Sequence, residues 1–86
     1  MIRKEVIVKW KDGLDARPIA LLVQKASQYD SQVYIELENK KISAKSIMGM
    51  MSLKIAEGES LAVVAEGTDE DIAVKGIAAF LLNENE

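Results

Sequence analysis

The spacing of apolar residues changes along the chain between a period of two and a period of about 3.6, and this alternation most constrains the fold. Segments 2–9, 33–37 and 60–67 have the period of strands with one buried face, and 42–44 continue a short third strand. Segments 16–28, 46–53 and the stretch that begins at 68–71 have the character of helices. The predicted order is strand, helix, strand, strand, short helix, strand, helix.

The two longer predicted helices each carry one apolar stripe. The residues that share these stripes are Ile19, Leu22, Val23 and Ala26 in the first helix, and Ala73, Ile77, Phe80 and Leu81 in the last. Thr68 and Asp71 match a capping box at the start of the last helix. Gly76 lies inside that helix and predicts a close approach to the sheet, because glycine there costs about 1 kcal/mol relative to alanine.

These patterns predict an α+β fold in one domain, residues 1–86, with the helices covering one face of an open antiparallel sheet. Turns are expected at "KDG" (11–13), at "ENKK" (38–41) and at "GES" (58–60). The tail "NENE" (83–86) is predicted to fray.

Composition excludes several functions. The chain has no cysteine and no histidine, which removes thiol catalysis, disulfides and histidine phosphotransfer, and no cofactor or metal is expected. The net charge is −3 without a basic run, so direct binding of nucleic acid is not expected. The sequence has neither a signal-peptide pattern nor an apolar run of the roughly 20 residues that span a bilayer, and we expect a soluble, cytoplasmic protein.

Ser46 precedes the short helix and has two compatible interpretations. Its hydroxyl can cap the helix by accepting a hydrogen bond from the amide of Met48 or Gly49. It can also be a phosphorylation site, with Lys41 and Lys45 near in sequence. The apolar residues that follow it (Ile47, Met48, Met50, Met51 and Leu53) occupy nearly every side of a helix that can bury only one. The sequence leaves open whether they fill the core or form an interaction patch.

Asp15 precedes the first helix, where it can act as an N-cap, and Pro18 fits the first turn. The positive charge of Arg17 opposes the helix dipole there, and it is better placed if it meets an anion. That anion can be Asp15, a phosphate or an acid on a partner.

The stretches "GLDARP" (13–18) and "KSIMGMMSL" (45–53) resemble the active-site and regulatory-serine motifs of the HPr family of the bacterial phosphotransferase system. The resemblance extends through "VQKASQYDSQV" (23–33) and "GTDE" (67–70). It implies an open-faced β-sandwich of four antiparallel strands with three helices on one face. Asp15 stands where the family carries its phosphoryl group on histidine, so the resemblance implies a chain that cannot perform histidine phosphotransfer.

The Crh-like branch of the family lacks that histidine and keeps the serine, although it usually has glutamine where this chain has Asp15. This likeness implies a non-enzymatic regulator that HPr kinase/phosphorylase phosphorylates on Ser46. The phosphorylated form would be the corepressor of catabolite control protein A in carbon catabolite repression. Docking would use Asp15, Arg17, Ala20, Leu21, Gln24, Ile47, Met48 and Met51. A homodimer formed by exchange of a terminal strand is also compatible with the likeness.

Two other functions remain open at this point. Asp15 could be an atypical phosphoryl acceptor, which would make the chain a phosphocarrier. It could also be a fixed negative charge that imitates a phosphorylated histidine and tunes the choice of partner.

Overall fold

A computed structural model describes residues 1–84, in which four strands and three helices follow one another in the predicted order. The elements are β1 (Ile2–Ile7), α1 (Ala16–Ala26), β2 (Gln32–Leu37), β3 (Lys40–Ser43), α2 (Ile47–Met51), β4 (Ser60–Glu66) and α3 (Glu70–Leu81).

The strands form an antiparallel sheet in the order β1-β4-β2-β3, with β1 and β3 at its edges. Residues 61–65 of β4 are all buried. Leu61, Val63 and Ala65 belong to the core under the helices, whereas Ala62 and Val64 alternate to the open face, where β4 has a neighbouring strand on each side. α3 packs on β1 and β4, whereas α2 packs on the edge strand β3 and on α1. The structure confirms the predicted α+β class and the open-faced sandwich, with the helices on one face.

Some element ends differ from the prediction. α1 ends at Ala26 and not at 28, because the amides of Gln28 and Tyr29 bond to carbonyls three residues back and tighten the chain into a turn. The hairpin turn contains only Glu38 and Asn39, since Glu38 takes a positive φ of 58° and pairing resumes at Lys40. The predicted hairpin turn at 38–41 is therefore confirmed in position, but it is two residues shorter than predicted.

The predicted capping box between Thr68 and Asp71 is also wrong. α3 begins at Glu70, with Asp69 in the N-cap position but making no cap hydrogen bond. Glu70 reaches back to accept a hydrogen bond from the amide of Gly67 at 3.1 Å. Only this one half of a capping box forms, and it pairs Gly67 with Glu70 instead of Thr68 with Asp71.

The carboxylate of Asp69 joins the start of α3 to the segment between α1 and β2. It accepts hydrogen bonds from the amides of Asp30 at 3.0 Å and Ser31 at 2.9 Å, and from the hydroxyl of Ser31. The Ser31 hydroxyl, followed by the amide of Asp30, holds the pKa of the Asp69 carboxyl below its ordinary value.

Gly76 approaches a side chain of the neighbouring helical segment and not the sheet, which corrects the prediction. A Cβ atom at this position would collide with the hydroxyl of Tyr29, just beyond the end of α1. The glycine therefore accommodates Tyr29 between α1 and α3.

The predicted fraying of the tail is wrong for residues 83 and 84. Asn83 takes a positive φ of 57° and the amide of Glu84 bonds to the carbonyl of Ala79, which closes the end of α3. Residues 85 and 86 lie outside the described part of the chain. None of the helices in the described part is long and apolar enough to cross a bilayer.

We expect Asp69→Asn to destabilise the fold near neutral pH, with a loss that shrinks on acidification. Because the pKa is lowered in the folded state, the ionised carboxylate stabilises that state above the unfolded-state pKa of about 3.9. That contribution disappears as the pH falls through the lower folded-state value. Urea unfolding of both proteins from neutral to strongly acid pH measures the difference in free energy of unfolding.

Asp71→Asn is the matched control for this prediction. Asp71 lies in the same first turn, is exposed, and makes no side-chain hydrogen bond with any residue between 1 and 84. We expect its substitution to leave the acid dependence of stability close to that of the parent chain. A difference between Asp69→Asn and the parent chain that stays constant with pH would contradict the proposed role of the ionised carboxylate.

Candidate functional site

The entry to α1 is fixed by a close contact between two loops. Gly13 has a positive φ of 76°, and a Cβ there would collide with the carbonyl oxygen of Ile55. The next residue, Leu14, is buried and donates its amide to that same carbonyl at 2.9 Å. This bridge holds Asp15, the following residue, beside the loop that connects α2 to β4.

Asp15 takes the N-cap position of α1 with an extended backbone, but its side chain makes no cap hydrogen bond. Only its backbone carbonyl joins the helix, by accepting a bond from the amide of Ile19 at 3.0 Å. The prediction that the carboxylate caps the helix is therefore wrong. The side chain is exposed instead, whereas Pro18 lies in the first turn as predicted.

Arg17 is exposed in the first turn of α1 and forms no ion pair within residues 1–84. Asp15 is one of the anions predicted to pair with Arg17. The structure shows no ion pair between these two side chains. Its guanidinium is open to an anion from outside the chain.

Ser46 caps α2 as predicted. Its hydroxyl oxygen accepts a hydrogen bond from the amide of Gly49 at 3.1 Å, and its carbonyl accepts one from the amide of Met50 at 2.9 Å. Ser46 itself is exposed. One side chain thus stabilises a helix start and presents a hydroxyl to solvent.

The apolar residues that follow Ser46 divide between the core and the surface. Met50 is fully buried and Leu53 is nearly so, whereas Met48 is 82% exposed. Ile47 and Met51 are each about half exposed, at 47% and 46%. The sequence left open a choice between core and patch, and each interpretation holds for part of the set.

Side chains from α1 lie beside this exposed group. Ala20, Leu21 and Gln24 are exposed, as their position next to the buried stripe predicts, and α1 and α2 contact each other. We call the six residues Ala20, Leu21, Gln24, Ile47, Met48 and Met51 the α1–α2 patch.

An open cleft of about 430 Å³ borders the α1–α2 patch. Its lining includes Asp12, Asp15 and Lys54 together with Met51, so Asp15 and the last residue of α2 line the same cleft. The described residues contain no group of three or more acids, histidines or cysteines that could hold a metal ion.

The two lysines near Ser46 in sequence are engaged elsewhere, which the sequence did not reveal. The Lys45 ammonium donates to the backbone carbonyl of Tyr29 at 2.7 Å. The Lys41 ammonium lies 4.7 Å from the centre of the Tyr34 ring, in a cation–π contact. The Lys45 contact joins segments 16 residues apart in the chain, so local sequence pattern does not indicate it.

Comparison with known proteins gives matches over nearly the whole chain. Residues 2–83 match the family model described as PTS HPr component phosphorylation site. The HPr-like protein Crh of Halalkalibacterium halodurans is 48% identical over 84 residues, which cover 98% of this chain and 100% of that protein.

Two solved structures also match nearly the whole chain. The phosphocarrier protein HPr of Bacillus anthracis superposes with a TM-score of 0.90 at 42% identity, covering 93% of this chain and 95% of that one. Crh of Bacillus subtilis, described as a dimer with a swapping domain, has a TM-score of 0.80 at 43% identity and covers 100% of this chain and 99% of its own.

The two helix starts should respond differently to truncation of the N-cap side chain. Ser46→Ala removes a cap hydrogen bond and should lower the free energy of unfolding by about 1 kcal/mol. Asp15→Ala removes no such bond and should cost less than about 0.5 kcal/mol once added salt screens the helix dipole. Urea unfolding of both variants at raised salt concentration measures this contrast. Equal losses would contradict the different roles of the two side chains.

Proposed function

The chain belongs to the HPr family of the phosphotransferase system, and on that premise we propose that it is a regulatory member of the family. HPr kinase/phosphorylase phosphorylates Ser46, and the phosphorylated protein binds catabolite control protein A as a corepressor in carbon catabolite repression. The observation that carries the proposal is the exposed Ser46 hydroxyl next to exposed apolar side chains of α2, in a chain that has no histidine.

A phosphate on Ser46 would remain available to a partner. It adds a charge of about −1.5 to −2 at the exposed start of α2. Lys45 and Lys41, the nearest cations in sequence, are held by Tyr29 and Tyr34. The dianion would therefore be read by basic residues of the repressor, through charge-assisted hydrogen bonds.

The α1–α2 patch is the second feature that the repressor would bind, beside the phosphate. Met48 and Leu21 expose 82% and 42% of their surface, and both belong to helices that contact each other. Large exposed apolar side chains grouped beside a polar rim are typical of interaction sites. Methionine suits such a surface because its side chain is flexible and polarizable.

Arg17 and Asp15 form the charged rim of this surface. Arg17 makes no ion pair within residues 1–84, which favours a role in binding an acidic or phosphorylated partner. Asp15 is exposed and its carboxylate does not cap α1. We propose that it is a fixed negative charge that affects the choice of partner, and not an acceptor in phosphoryl transfer.

Three further parts of the proposal follow from family membership. The chain performs no catalysis of its own. It acts in the cytoplasm, where its kinase and repressor work. It also forms a homodimer by exchanging β1, an edge strand, as the Bacillus subtilis relative described as a swapped dimer suggests.

Intact-mass spectrometry after incubation with ATP and HPr kinase/phosphorylase tests the regulatory input. We expect one added phosphate, mapped by peptide analysis to Ser46, because that hydroxyl is exposed. Ser46→Ala should add none, and Ser27→Ala is a matched control because Ser27 is also exposed and hydrogen-bonded to a backbone group. An unmodified parent chain, with a kinase that phosphorylates an ordinary HPr in parallel, would overturn the proposal.

A further inference from the structure

Gly49 lies directly against the Ser46 hydroxyl. Its amide donates the cap hydrogen bond at 3.1 Å, and a Cβ on Gly49 would lie 3.2 Å from the same oxygen. That distance is shorter than an ordinary van der Waals contact between carbon and oxygen. The absence of a side chain at position 49 therefore leaves one side of the hydroxyl open.

The backbone does not require glycine at this position. Gly49 lies inside α2 and is not among the residues with positive φ, so its conformation is one that alanine adopts easily. Alanine would also favour the helix more than glycine does. The reason for glycine must be space, and the neighbours that would crowd a Cβ are the Ser46 hydroxyl and the Cγ2 methyl of Ile42 at 2.7 Å.

We propose that Gly49 is a positioning residue for phosphoryl transfer to Ser46, an inference that rests on the proposed function. In the reaction, the Ser46 Oγ atom forms a bond to the γ-phosphorus of ATP while the bond between that phosphorus and the ADP oxygen breaks. The hydroxyl proton passes to a general base of the kinase, and ADP leaves. Gly49 keeps open the space beside Oγ that the incoming phosphoryl group needs.

The phosphorylated serine also needs open space beside its Oγ atom. Once Oγ becomes an ester oxygen it is a weaker acceptor, and the phosphoryl oxygens can take over the amide of Gly49. A methyl group at position 49 would stand beside both the attacking oxygen and the new phosphate. The effect should fall on the chemical step and not on docking, because Gly49 is not part of the α1–α2 patch.

The test compares the parent chain with Gly49→Ala, Ile42→Ala and the double variant Gly49→Ala/Ile42→Ala. The double variant keeps a Cβ beside the Ser46 hydroxyl but removes the Ile42 methyl that the Cβ would otherwise meet. Circular dichroism and thermal unfolding select a temperature at which every variant is folded. Steady-state phosphorylation by HPr kinase/phosphorylase with ATP then gives kcat and KM for each protein.

We expect Ile42→Ala to be phosphorylated much like the parent chain, and the double variant to lose about tenfold or more in kcat with little change in KM. A double variant with the kcat of Ile42→Ala would overturn the inference, since Gly49 would then only make room for Ile42. A rise in KM at constant kcat would also overturn it, because it would indicate an effect on docking. A parent chain that is not phosphorylated at all would overturn the proposed function, and this inference with it.

Discussion

The limited area of the sheet face that the three helices cover is the constraint on which the rest of the structure depends. α3 covers β1 and β4, and α1 packs beside α3, so α2 is left at the edge strand β3. A helix of five residues at an edge can bury one side, and here that side is Met50. The other apolar side chains of α2 stay at the surface because no part of the sheet remains for them to cover. We infer that the α1–α2 patch is a consequence of this crowding, which the proposed function then uses.

The starts of α1 and α2 show how the same position can serve different purposes. At α2, the Ser46 hydroxyl stabilises the helix and remains exposed, so phosphorylation would change a group that already has a structural role. At α1, Asp15 lies at the N-cap but its side chain makes no cap hydrogen bond, and the bond from the amide of Leu14 to Ile55 fixes the entry of the chain. The Asp15 carboxylate is therefore available for interaction outside the chain.

Much of the fold can be predicted from the sequence because apolar spacing reports directly on burial. The element order and the cap at Ser46 follow from local pattern, and the exposure of Leu21 follows from its place beside the buried stripe. Contacts between distant segments cannot be predicted in this way. Asp69 reads as a first-turn acid of α3 but bonds to Ser31, and Lys45, which is next to Ser46 in sequence, bonds to Tyr29. In both cases the partner is distant in sequence, so the local pattern does not indicate it.

The most direct measurement is the affinity of catabolite control protein A for the Ser46-phosphorylated chain, by titration calorimetry against the unmodified chain. The account predicts that phosphorylation tightens binding by at least about tenfold. It also predicts that phosphorylated Met48→Ala loses much of that gain, whereas Ile72→Ala, an exposed apolar residue on α3, does not. Equal affinity of the phosphorylated and unmodified chains would contradict the central claim that the repressor reads the phosphate together with the α1–α2 patch.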